Sequence, residues 1–302
     1  MARLVGEAIE RGAVGFSTNR FAAHKLPDGR AIPGTFADPD ELVDIARAVA
    51  ARGGVMQAVG ATLDVLRRLA DDGGSRVLFS YGTGADPSLG WQRRTDLDAV
   101  CRGRPMTAIA QVRSSGLVFG LQSNVYIAMR GELWSRLRRL DLAGRPAAIA
   151  DPAFADALVA EAQALGFPRM LDTGIEKVFY LGDGATPDYV AGSERNLVAM
   201  AQAAGEHWSR TFLRLSLQTQ GRALFTLRMF NPDIDTLAHL LASDHCYPGL
   251  GDAGAHCSQV MDAGWATFVL SYWVRERRHY TLEEAVRRMT SAAARVIGLA
   301  DR

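Results

Sequence analysis

At 302 residues, with 48% hydrophobic content and a net charge of +1 from 34 basic and 33 acidic side chains, the chain has the composition of an ordinary globular protein. The balanced charge steers it towards neither nucleic acid nor an anionic membrane surface. No apolar run reaches the length of a membrane span, and the N-terminus lacks the apolar core of a signal peptide, so a cytoplasmic protein is expected. Three cysteines, Cys101, Cys246 and Cys257, stand at no paired metal spacing and read as reduced thiols. Cys257 follows His256 and is either a reactive thiol or a small core residue.

The first segment, Ala2 to Arg11, places Leu4, Val5, Ala8 and Ile9 on one helical face, and Gly12 ends it. Ala13 to Thr18 reads as a buried strand. A polar loop holding Asn19, Arg20 and His24 follows, with turns at Pro27-Asp28-Gly29 and Pro33-Gly34. Asp38-Pro39-Asp40-Glu41 opens a helix, with Asp38 as N-cap and proline at the first helical position. The pattern then repeats: strand 55–59, a helix opened by Thr62, strand 77–81, a helix around Leu97 and Val100, strand 106–112. Strands alternating with helices at this spacing indicate βα units and a parallel sheet or barrel.

From Gly116 to about Gly205 the rhythm breaks into a helix-rich, arginine-rich stretch, with a capped helix start at Asp151-Pro152. Such an excursion is either a lid over a site or a helical cover for apolar surface. The series resumes with an amphipathic helix at 208–218, a strand at 223–227 and a helix at 233–242. A short apolar approach at 245–250 then meets Gly251-Asp252-Ala253-Gly254-Ala255-His256. Glycines let a backbone bend sharply and approach a ligand, and a carboxylate just past a strand is where a β/α barrel places its chemistry. The other reading is a turn in which Asp252 caps and His256 packs. A long apolar helix at 265–275 and a last helix capped by Thr281 and Glu284, ending at Gly298, close the chain. The organisation expected is barrel units over 1–115, an insertion over 116–205, and a final barrel unit with C-terminal helices over 206–302.

Gly15-Phe16-Ser17-Thr18 with Arg20 and His24, Pro33-Gly34-Thr35-Phe36-Ala37, the motif Leu250 to His256, and Trp273-Val274-Arg275-Glu276-Arg277 together resemble the N-acyl-D-amino-acid deacylases. These are a branch of the metal-dependent amidohydrolases. The resemblance implies a (β/α)8 TIM-type barrel with one or two metal ions, usually zinc, and hydrolysis of the amide bond of N-acyl-D-amino acids. It makes Asp252 the carboxylate that binds metal and takes a proton from the attacking water. It leaves His24 as a metal ligand, and His256, Arg20 and Arg113 as groups for the substrate, the arginines pairing its carboxylate.

The departures are equally specific. The six histidines form no H-x-H pair, which the family carries after its first strand. Gln57 stands where many relatives have histidine and is a poor zinc ligand, and the next strand ends in Ser80-Tyr81. Family members begin upstream of the equivalent of Met1, and strands ending near Thr18, Val59, Tyr81, Val112 and Leu250 give about five βα units where a closed barrel needs eight. Two hypotheses follow: a truncated metal-dependent deacylase, or an inactive remnant or binding protein on the same scaffold. Either has two open parallel edges, so an oligomer or a complementing N-terminal segment is expected.

Overall fold

The computed structural model describes residues 1–84, 86–123, 129–170, 173–251, 263–299 and 301. In chain order its first elements are α1 (Ala2–Glu10), β1 (Gly15–Asn19), α2 (Pro39–Ala50), β2 (Val55–Val59), α3 (Leu63–Asp71), β3 (Arg76–Ser80), α4 (Pro87–Cys101), β4 (Met106–Ala110) and β5 (Ser115–Phe119). Then come α5 (Glu132–Arg139), α6 (Gly144–Ile149), α7 (Pro152–Leu165), β6 (Val178–Gly182), α8 (Leu197–Ala204), α9 (Trp208–Gln218) and β7 (Leu224–Phe230). The last are α10 (Ile234–Leu241), β8 (Cys246–Pro248), α11 (Trp265–Phe268), a π-helix (Val269–Glu276), α12 (Leu282–Met289) and α13 (Ser291–Val296).

The chain divides into two units. The first holds Met1–Val112, Asp235–Leu250 and Gly264–Arg302, and its sheet has five strands in the order β1-β2-β3-β4-β8. Every pairing in it is parallel. This is an α/β fold, and the five strands are those the sequence indicates. Helix starts follow the sequence as well: Asp38 accepts from Asp40 N at 2.8 Å and Asp151 from Ala153 N at 3.0 Å. Side-chain caps of this kind satisfy amide groups that a helix leaves unpaired, at about 1 kcal/mol each. The buried residues of the first unit include Met56, Val77, Phe79 and Ala108 in β2 to β4 and Leu42, Ile45, Leu66, Leu69 and Leu97 in the helices.

Strand β1 lies at one margin of that sheet, and none of its residues is fully buried. Gly15 is needed there, because a Cβ at this position would lie 1.9 Å from the Val55 carbonyl oxygen. Near this margin Val14 and Phe36 are 57% and 73% exposed.

The second unit holds Arg113–Ile234 and contains a three-stranded antiparallel sheet, β5-β7-β6. Its core is aromatic: Phe212 and Phe225 have ring centroids 4.7 Å apart, with Phe119 and Trp134 against Phe212 at 6.1 and 5.9 Å. Helix α9 and strand β7, read from the sequence as resuming the barrel series, belong to this unit. Strand β7 is buried over most of its length and pairs antiparallel with strands on both sides, an arrangement that leaves it no place in a parallel series. The stretch read as helix-rich therefore also carries β5 and β6.

Two further departures lie near the C-terminus. The long helix expected over 265–275 is a single α-turn followed by the π-helix, which buries Trp273 and lets its indole N–H donate to Val112 O at 2.7 Å. The helix expected to run from Thr281 to Gly298 breaks at Thr290, whose φ and ψ are −125° and −93°. No helix among the described residues is long and apolar enough to cross a membrane.

Candidate functional site

The C-terminal ends of the parallel strands are where an α/β sheet presents its chemistry, so the candidate residues are taken there strand by strand. At β1, Ser17 Oγ donates to Gln57 Oε1 of β2. Asn19 ends β1 and ties down the loop beyond it. Its Oδ1 accepts from Phe21 N at 2.7 Å, and its amide nitrogen meets Nδ1 of His24. The His24 ring also sits edge-on to Phe21, at 5.1 Å between centroids. His24 is thus held beside the end of β1 by neighbours from its own loop. Arg20 follows β1 directly, and its Nη1 donates to Ala37 O at 2.6 Å, bracing the loop that leads to α2.

Strand β3 ends in Ser80, and Tyr81 beyond it is turned towards α4. Its hydroxyl donates to Arg93 O at 3.2 Å, while the Arg93 guanidinium lies 4.1 Å from the centre of its ring. Burial pushes the phenol up to about 12, so it stays protonated across the physiological range. Cys101 and Cys246 are buried, and desolvation raises each thiol to about 12. They are inert packing residues rather than nucleophiles or metal ligands.

After β8 the backbone tightens. Leu250 has a φ of +61°, a left-handed conformation uncommon for a branched side chain, and a Cβ on Gly249 would meet Ile109 Cγ2 at 2.7 Å. Strain of this kind gathers at functional sites. Asp252, His256 and Cys257 come next in the chain and lie outside the described residues.

Arg113 belongs to the second unit. It is 5% exposed, and its guanidinium stacks 3.5 Å from the centre of the Tyr189 ring. Arg228 in β7, which nothing in the sequence singles out, is buried in the same unit and stacks at 3.8 Å on Phe179. Buried arginines carry no periodic or motif signal, so only the pairing of β5, β6 and β7 reveals them.

Among the described residues no group of three or more His, Cys, Asp or Glu side chains is placed to hold a metal ion. The chemistry along β1 to β3 agrees, since Ser17 and Gln57 in mid-strand, Asn19 at the end of β1 and Tyr81 just past β3 are hydrogen-bonded to protein partners. The described residues do not fit a zinc centre.

Comparison with known proteins gives one structural likeness. No family model matches the chain, and no curated protein sequence matches it. The crystal structure of N-acyl-D-glutamate deacylase from Bordetella bronchiseptica, complexed with zinc and a phosphonate inhibitor that mimics the tetrahedral intermediate of its reaction, is similar in fold. The TM-score is 0.54 and the sequences are 21% identical, with 100% of this chain and 52% of that chain covered. The chain thus spans about half the length of that protein.

Proposed function

We propose that this chain is part of an amidohydrolase-type enzyme that hydrolyses the amide bond of N-acyl amino acids, of the D series by its sequence resemblance. One observation carries the reading: the whole chain, with its five parallel strands, aligns on 52% of a structure solved as a zinc-bound N-acyl-D-glutamate deacylase. The Gly-Asp-Ala-Gly-Ala-His motif beyond β8 supports it from the sequence side. In this reading the five strands belong to a (β/α)8 barrel, and further strands beyond the described ones close it. The zinc ligands then come largely from outside the described residues, because those residues do not supply them.

Within the chain, Asp252 takes the proton of the water that attacks the acyl carbonyl, and the proton passes on to the departing amine nitrogen. We assign Arg113 to the substrate carboxylate, since a guanidinium fork accommodates a carboxylate bidentately. Arg20 is the alternative partner for that carboxylate, His256 a further group for the substrate, and His24 a metal ligand in this reading. A second reading, an inactive scaffold, is favoured by Gln57 where many relatives have histidine and by the absence of an H-x-H pair from the sequence.

Release of free amino acid from a panel of N-acyl D- and L-amino acids, by the zinc-supplemented natural protein that contains this chain, tests the choice. The hydrolase reading expects turnover of the N-acyl amino acids and a loss of at least about a hundredfold in Asp252→Asn, the scale of removing a general base. Absence of turnover across the panel would overturn it in favour of the inactive scaffold, and full activity in Asp252→Asn would remove Asp252 from the proton transfer.

A further inference from the structure

Arg228 lies in β7, opposite Gly116 of β5, and is 7% exposed. Its Nη2 donates to Ala191 O at 2.8 Å and reaches Tyr189 O only at 3.5 Å. Its Nε is buried without any hydrogen-bond partner. Asp188 and Glu194 act on it through space. Desolvation consequently pulls the guanidinium down to about 10.

Two other buried arginines, Arg145 and Arg288, are provided for differently. Arg145 donates to the carbonyls of Leu140, Leu121, Ser123 and Arg138. Arg288 pairs with Glu284 and Asp244 and reaches the carbonyls of Leu241, Ser243 and Cys246. Arg228 stands apart with an orphaned Nε, and an orphaned buried donor costs free energy until something accepts from it.

Its surroundings say what that would be. Arg113 stacks on the ring of Tyr189, the residue whose carbonyl Arg228 reaches, so two guanidinium groups flank one loop. Ser114 Oγ donates to Phe230 O at 3.3 Å, which brings the start of β5 to the end of β7. There Asn231 is buried with a φ of +50°, a strained conformation of the kind found at ligand sites. The two arginines favour an anion, and the Phe179 and Tyr189 rings favour one with an apolar or acyl body. The nearby Asp188 and Glu194 carboxylates disfavour a doubly charged phosphate.

We propose that Arg228 anchors a binding site in the second unit for a small monocarboxylate, which replaces the long contact to the Tyr189 carbonyl and accepts from Nε. That the carboxylate belongs to an N-acyl amino acid rests on the function proposed above; the carboxylate itself rests on Arg228 alone.

The test is a binding measurement that involves no hydrolysis. N-acetylglycine and its uncharged counterpart N-acetylglycinamide are titrated into the full chain, read by calorimetry and by the arginine Nε–H signals of nitrogen-15-labelled protein. Loss of one signal in Arg228→Lys assigns it. The site predicts that the acid moves this signal and binds at least tenfold more tightly than the amide, and that Arg228→Met removes the preference. Equal binding of acid and amide, binding of neither, or an unmoved Arg228 signal makes Arg228 a brace for the 189–191 loop and overturns the proposal. Should Arg228→Met fail to fold, the acid and amide titrations of the wild-type chain decide alone.

Discussion

Arg288, on α12, is 4% exposed, and it ties that helix to β8 through the carbonyls of Ser243 at 2.7 Å and Cys246 at 2.9 Å. Its charge is balanced by Glu284, which also accepts from Arg287 at 2.7 Å. Those bonds, first from Arg287 and then from Arg288, hold the Glu284 carboxyl down to about 2 against an ordinary 4.5. A depressed carboxylate contributes stability above its unfolded value, and that contribution fades as pH falls from about 4.5 towards 2. Glu284→Gln should therefore destabilise the chain by about 1–2 kcal/mol at neutral pH, a figure reduced for the partial exposure of the pair. The gap should close near pH 2, as thermal melts across that range would show; a gap unchanged with pH would refute the linkage. At this scale the sequence is only partly readable. It discloses Thr281 as a cap, because capping has a fixed spacing, whereas the Glu284 carboxylate read as its partner goes to Arg287 and Arg288. It does not disclose Arg228 or Arg288, because what makes them distinctive is their surroundings.

Elements were readable where one local rule decides them. The five parallel strands are bounded by turn residues, and the helices after β1 and β2 start on Asp38 and Thr62. Strands β5 and β6 escaped because Ser115-Gly116 and Gly182 look like loop, and they become strands only by pairing with β7. The π-helix is equally silent in sequence, since its apolar residues suit an ordinary helix. Gly15 illustrates a constraint at this level: β1 and β2 approach so closely there that a side chain must displace backbone. Gly15→Ala is predicted to lower the midpoint of thermal unfolding by several degrees, whereas Gly264→Ala, which meets nothing within 4 Å, should leave it within error. Equal midpoints for the two variants would show that the sheet margin yields more readily than this packing implies.

For the molecule as a whole, the parallel arrangement was legible from the repeat of strand and helix, while the two-unit division was not, since β7 shows its partners only in three dimensions. Parallel sheets are normally covered or closed, and this one has β1 and β8 as its outer strands. The fold is similar to 52% of the chain of a deacylase solved with zinc, and the proposed function rests on that likeness. The strand-end residues argue that its metal ligands are not supplied by the described residues. Zinc retained by the purified 302-residue chain after zinc loading and exhaustive dialysis tests this most directly. The account predicts far less than one equivalent per chain; a full equivalent that survives Asp252→Asn would contradict it.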